Sequence, residues 1–146
     1  METRKVDDDK LALLAEKFKE VRAEYHSLEQ GFNHRPHLQE LRKRMTYLFS
    51  ELSEIIKPTK YNKIYTEKYK DVLLSEEILR VSSEENITSI AKCEKMVKAD
   101  MIYKDYIDVM AHHDSEWEYV KHFAESIKQY IFTLASDIEG INEPKA

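Results

Sequence analysis

The chain has 146 residues, about a third of them charged, a formal net charge of −5, two glycines, three prolines and a single cysteine. So little glycine and proline argues against a strand-and-turn architecture, and one cysteine excludes an intrachain disulfide; long solvated helices fit instead. No apolar run exceeds the five residues Leu11–Ala15, so neither a transmembrane span nor a secretory signal is expected, and the lone Cys93 suits a reducing, cytoplasmic compartment.

The first helix is expected to start at Asp7–Asp9, whose carboxylates cap free amides and favour the positive end of the helix dipole. Its apolar stripe is Leu11, Leu14, Phe18, Val21, Tyr25 and Leu28, and Gly31 supplies a stop. Pro36 suits the first turn of a second helix with the stripe Leu38, Leu41, Met45, Leu48, Leu52 and Ile55, which Pro58 is expected to end. The short connection makes the two helices antiparallel, so residues 1–57 read as a helical hairpin about 30–33 Å long. Residues 58–82, rich in lysine and tyrosine, show no clear apolar seam and read as a linker, with a short helix from Ser75 to Arg80.

Residues 83–146 read as one long helix, opened by the capping-box pair Ser82 and Glu85. From Met96 onwards an apolar seam recurs at alternating steps of three and four residues: Ala99, Tyr103, Tyr106, Met110, His113, Trp117, Val120, Ala124, Ile127, Ile131, Leu134, Ile138 and Ile141. Ser115 and Glu118 form a second capping-box match, and a turn there would fold the run into a second hairpin. The undisturbed phase through residues 112–115 favours continuity. A continuous 96–141 segment spans about 69 Å at 1.5 Å per residue, more than the hairpin can cover. Tyr106, Met110, Trp117, Val120, Ile127, Ile131, Leu134 and Ile138 are therefore candidate oligomerisation residues. Isoleucine at both kinds of seam position, with the bulky Tyr106 and Trp117, disfavours a parallel dimer and points to a trimer or larger. The expected class is all-α: a hairpin plus a long amphipathic helix, oligomeric.

No catalytic motif is present. The two glycines, Gly31 and Gly140, cannot form a phosphate loop, and there is no Cys-x-x-Cys or His-Glu-x-x-His, so a non-enzymatic protein without cofactor is expected. His112 and Glu116 share a helix face, but two ligands do not make a metal site, so none is expected. His113 reads as a polar register-setting residue on the seam.

Charge carries the functional lead. Residues 34–70 hold nine lysines and arginines against four glutamates, whereas residues 107–146 hold three lysines against eight acids. Arg42, Lys43 and Arg44 lie beside the seam of the second helix. Downstream, Lys60 and Lys63 interleave with Tyr61 and Tyr65. Single-stranded nucleic acid asks for this mixture, cations for phosphates and π faces for bases. The competing reading is a helical coiled-coil adaptor or assembly protein acting only through protein–protein contacts.

Three segments, Val6-Asp-Asp-Asp-Lys-Leu11, Leu41-Arg-Lys-Arg-Met-Thr-Tyr47 and Lys98-Ala-Asp-Met-Ile-Tyr103, resemble the UvsY recombination mediators of T-even-type phages. The resemblance implies a small all-helical, ring-forming protein with no catalytic activity, acting in the cytoplasm of the host cell. Such a protein helps load a recombinase onto DNA coated by single-strand-binding protein. It also implies that Arg42, Arg44 and Tyr47 contact single-stranded DNA.

Overall fold

The computed structural model describes residues 2–28 and 34–142, and these are all-helical: α1 (Asp8–His26), α2 (Arg35–Glu84), α3 (Ile90–Ala99) and α4 (Met101–Asn142). The expected stop at Gly31, the side chain of Ile141 and the tail beyond Asn142 lie outside the described residues. Among those described, no helix is long and apolar enough to cross a membrane.

Local chemistry sets most helix ends. Asp7 accepts from the Lys10 amide at 3.0 Å, with Asp8 and Asp9 in the first turn of α1. Asn86 adopts φ 54°, a left-handed conformation that asparagine tolerates better than most residues, just beyond the end of α2. Ser82, expected to open the long helix, instead donates to the Ile87 carbonyl at 2.7 Å inside this turn. Ser89 caps α3, and Asp100, extended between α3 and α4, accepts from the Ile102 amide at 2.9 Å. The C-terminal segment is therefore two helices joined at Asp100, not one from residue 83. Beyond that joint α4 runs unbroken through 112–115.

The largest correction concerns α2. Pro58 does not end it: the helix continues through the expected 58–82 linker for 50 residues in all, about 75 Å. Pro58 lacks an N–H for the carbonyl one turn back, a local cost that the flanking turns absorb. The stripe Leu48, Leu52, Ile55 continues in the same three-and-four rhythm as Thr59, Asn62 and Thr66, all buried.

The chain forms two compact units. One comprises Val6–Lys57 with Tyr119–Ala146, the other Met1–Lys5 with Pro58–Glu118. In the first, α1, the N-terminal half of α2 and the C-terminal half of α4 enclose Leu11, Leu14, Phe18, Val21, Leu41, Met45, Leu48, Leu52, Val120, Ile127, Leu134 and Ile138. Lys10 meets Glu51 at 2.8 Å and Glu24 meets Arg44 at 2.7 Å, so α1 and α2 run antiparallel, as expected for the hairpin. Phe18 packs edge-on against Phe123 and Tyr130, and Tyr25 donates to Asp137 at 2.5 Å, so this part of α4 runs parallel to α1.

In the second unit, Val81, Cys93 and Val97 pack with Leu74, Ile78, Ile87 and Tyr103. The Asn62 side chain bonds both backbone groups of Arg4, accepting from its amide at 2.7 Å and donating to its carbonyl at 2.8 Å. Thr66 donates to the Asn62 carbonyl at 2.8 Å, and Tyr106 donates to the Thr66 carbonyl. A buried polar seam survives because its groups find partners.

The same packings bear on the α4 seam. Tyr106, Val120, Ile127, Leu134 and Ile138 are buried, and Met110, Trp117 and Ile131 half-buried, within a single chain. A hairpin ending at Pro58 is too short to cover this seam. The second half of α2 supplies part of this cover.

Two phenols respond to this packing. Tyr25 is pushed up from 10.0 to about 12, chiefly by its hydrogen bond to Asp137 and then by burial. Tyr106 reaches about 12 through burial and the neighbouring Tyr69 and Tyr65. Between the ordinary and raised values the unfolded chain releases protons that the folded chain keeps. The contribution of these two phenols is therefore fully present below pH 10 and is lost as pH rises towards 12. Denaturant midpoints across this range should fall, and the fall should shrink in Tyr25→Phe.

Candidate nucleic-acid interface

Burying Leu38, Leu41, Met45, Leu48 and Leu52 turns the opposite face of α2 outward, and that face carries Arg42, Lys43, Thr46 and Tyr47. Arg42 and Lys43 are exposed and form no ion pair among the described residues. Together with Pro36, Gln39, Glu40 and Thr46 they line a shallow concavity along the helix.

A second concavity of about 340 Å³ lies between α1 and α2, lined by Lys17, Glu20, Val21, Lys43, Arg44, Tyr47 and Leu48. Lys43 belongs to both hollows, so they adjoin. Tyr47 is 58% exposed, and Lys10, with a smaller effect from the nearby Tyr47 hydroxyl, holds the Glu51 carboxyl below its usual range. The result is an exposed aromatic ring beside Lys17 and Lys43, tempered by Glu20. This arrangement suits a strand with a phosphate on the cations and a base against the ring.

Arg44 is differently placed. Its guanidinium lies 2.7 Å from Glu24, which His37 also approaches at 3.4 Å. Arg44, then His37, holds the Glu24 carboxyl below its usual range. The pair links α1 to α2, so Arg44 is partly committed to the fold. Lys17 escaped the sequence reading because it comes from the other helix, and only the register of α1 on α2 brings it beside Tyr47.

The second predicted set lies in the other unit and is built differently. Tyr61 stacks on Tyr65 at 5.6 Å between centroids, and Tyr65 stacks on Tyr69 at 6.0 Å. The Arg4 guanidinium sits 3.9 Å from the Tyr61 centroid, and the Tyr65 hydroxyl accepts from the Glu2 amide at 3.3 Å. The faces of both rings are thus occupied by Arg4, by each other and by Tyr69, so the arrangement leaves less π surface here than at Tyr47. Lys63 lies 3.7 Å from Asp114 and 3.9 Å from Glu67, whereas Lys60 is exposed. Of the eight predicted residues, the structure brings Arg42, Lys43, Arg44 and Tyr47 together on one surface. No protein-family model, curated protein or solved structure matches the chain.

Proposed function

We propose that this protein is a non-enzymatic, single-stranded-DNA-binding accessory protein, of the kind that its resemblance to phage recombination mediators implies. The exposed Tyr47 ring in a hollow lined by Lys17, Lys43 and Arg44 is the observation that carries this reading. Arg42 and Lys43 meet phosphates, Tyr47 offers a sequence-tolerant stacking surface, and the held strand is presented to a recombinase in place of single-strand-binding protein. Assembly into a ring would use surfaces other than the α4 seam.

Oligonucleotide affinity measured across a salt series tests the proposal. Each phosphate contact on a single strand contributes about 0.7 to the slope of log affinity against log salt. The double variant Arg42→Ala/Lys43→Ala should weaken binding and flatten the slope by about 1.4. An unchanged affinity and slope would remove the site.

One observation favours the adaptor reading instead. In the unit containing α3, Leu79 is 70% and Ile90 71% exposed and the two line one groove, and Met101 and Ile102 are exposed as well. If no single-stranded oligonucleotide binds at low salt, the protein–protein reading takes precedence.

A further inference from the structure

We propose that His112, His113 and Glu116 on α4 form a binding site for a divalent transition-metal ion of the Zn²⁺ type, an inference independent of the DNA reading. The geometry follows from the helix itself. Successive residues turn by about 100°, so Glu116 lies about 40° from His112 and about 60° from His113 around the axis. Glu116 therefore neighbours both histidines, at four-residue and three-residue spacing. Its side chain leans back towards the helix N-terminus, over the turn that carries them.

The three side chains converge as this predicts. One donor atom from each lies within 4.8 Å of the other two, with the His112 Nε2 to Glu116 Oε2 separation at 4.0 Å. A second observation points the same way. The His113 Nδ1 is shut off from solvent and has no hydrogen-bond partner among the described residues. A buried imidazole nitrogen left unbonded is costly. Metal ligation through Nδ1 would supply the partner that this nitrogen lacks.

The donor set decides the class of ion. Two imidazoles and one carboxylate suit Zn²⁺, Co²⁺, Ni²⁺ or Cu²⁺, whereas Ca²⁺ and Mg²⁺ want oxygen. Three protein ligands leave a further coordination position for water or a partner group. Asp114, the other acid in this stretch, lies 3.7 Å from the Lys63 ammonium and is not among the converging donors. Glu116 is mostly covered and His112 mostly exposed, so the ion would sit at the surface with one flank against protein.

Titration of the untagged, full-length protein with Zn²⁺ by calorimetry, and with Co²⁺ by visible absorption, tests the site. The expected result is a single saturable site per chain, with Co²⁺ bands that report nitrogen and oxygen ligands. Loss of a second-shell partner commonly costs 10–100-fold in metal affinity, so losing a ligand should cost roughly tenfold or more. His112→Ala, an exposed substitution that should leave the fold intact, and Glu116→Gln should each show that loss. His122→Ala, which alters a histidine beside Glu125 further along α4, should bind as the unaltered protein does. Absence of saturable binding overturns the proposal, as does affinity unchanged in His112→Ala/His113→Ala with helical content preserved.

Discussion

Replacing Ile127 by alanine should destabilise the chain by about 2–5 kcal/mol, with an unfolding midpoint that does not move with protein concentration. Ile127 is 0% exposed, in the cluster that α4 shares with α1 and the first half of α2. The substitution removes three buried carbons and leaves a cavity that close-packed neighbours relax into only partly. The control lies on the same helix: Phe132, larger but 76% exposed, should tolerate alanine within about 0.5 kcal/mol. Concentration separates the two origins of burial. If sister chains covered the seam, dilution would lower the midpoint by mass action. Chemical denaturation at two widely separated protein concentrations gives the answer, and a midpoint that follows concentration would restore the interchain seam.

Tyr47→Ala should lower affinity for a single-stranded oligonucleotide by about 1–3 kcal/mol, roughly 5–150-fold, while Tyr47→Phe keeps most of it. The contrast isolates the ring. Phenylalanine retains the π face and gives up only the hydroxyl near Glu51. The ring is largely in solvent, so neither substitution should cost much stability. Unlike loss of Arg42 and Lys43, loss of the ring should leave the salt slope nearly untouched, because stacking releases no counterions. Equal affinity for the alanine, phenylalanine and unaltered proteins would mean that stacking at Tyr47 contributes nothing. Fluorescence anisotropy with a labelled oligonucleotide of mixed sequence distinguishes these outcomes.

The sequence announces elements where burial is apolar and falls silent where it is not. The stripes of α1, the first half of α2 and α4 were legible because leucine, isoleucine and aromatic residues mark them at helical spacing. Residues 59–66 keep the same rhythm with Thr59, Asn62 and Thr66, and hydrophobic periodicity has no means of registering a buried threonine. Pro58, just ahead of that polar stretch, then reads as a terminus. A hairpin taken to end at Pro58 is about half the length of the α2 that forms, so the cover available to the α4 seam within one chain is not legible from apolar spacing. Arg42 and Lys43 stand out in the charge pattern, and Tyr47 in the resemblance to the phage mediators; the structure places all three on one outward face. The pairing of Arg44 with Glu24, and the arrival of Lys17 beside Tyr47, depend on how α1 is registered against α2. Likewise His112 and Glu116 were visible as a spaced pair, but assigning His113 to the seam hid it as a third donor.

The way each unit draws on distant parts of the chain has a consequence for biosynthesis. One core joins Leu11 to Ile55 with Val120 to Ile138, and Asn62 in the other unit holds the backbone of Arg4. Contacts this far apart in sequence are slow to form and cannot close until the later partner has emerged from the ribosome. During translation the helices of the first hairpin wait with one flank still wet. Only as the last turns of α4 appear can that flank be sealed, so interruption shortly before that moment should yield a chain that chaperones retain.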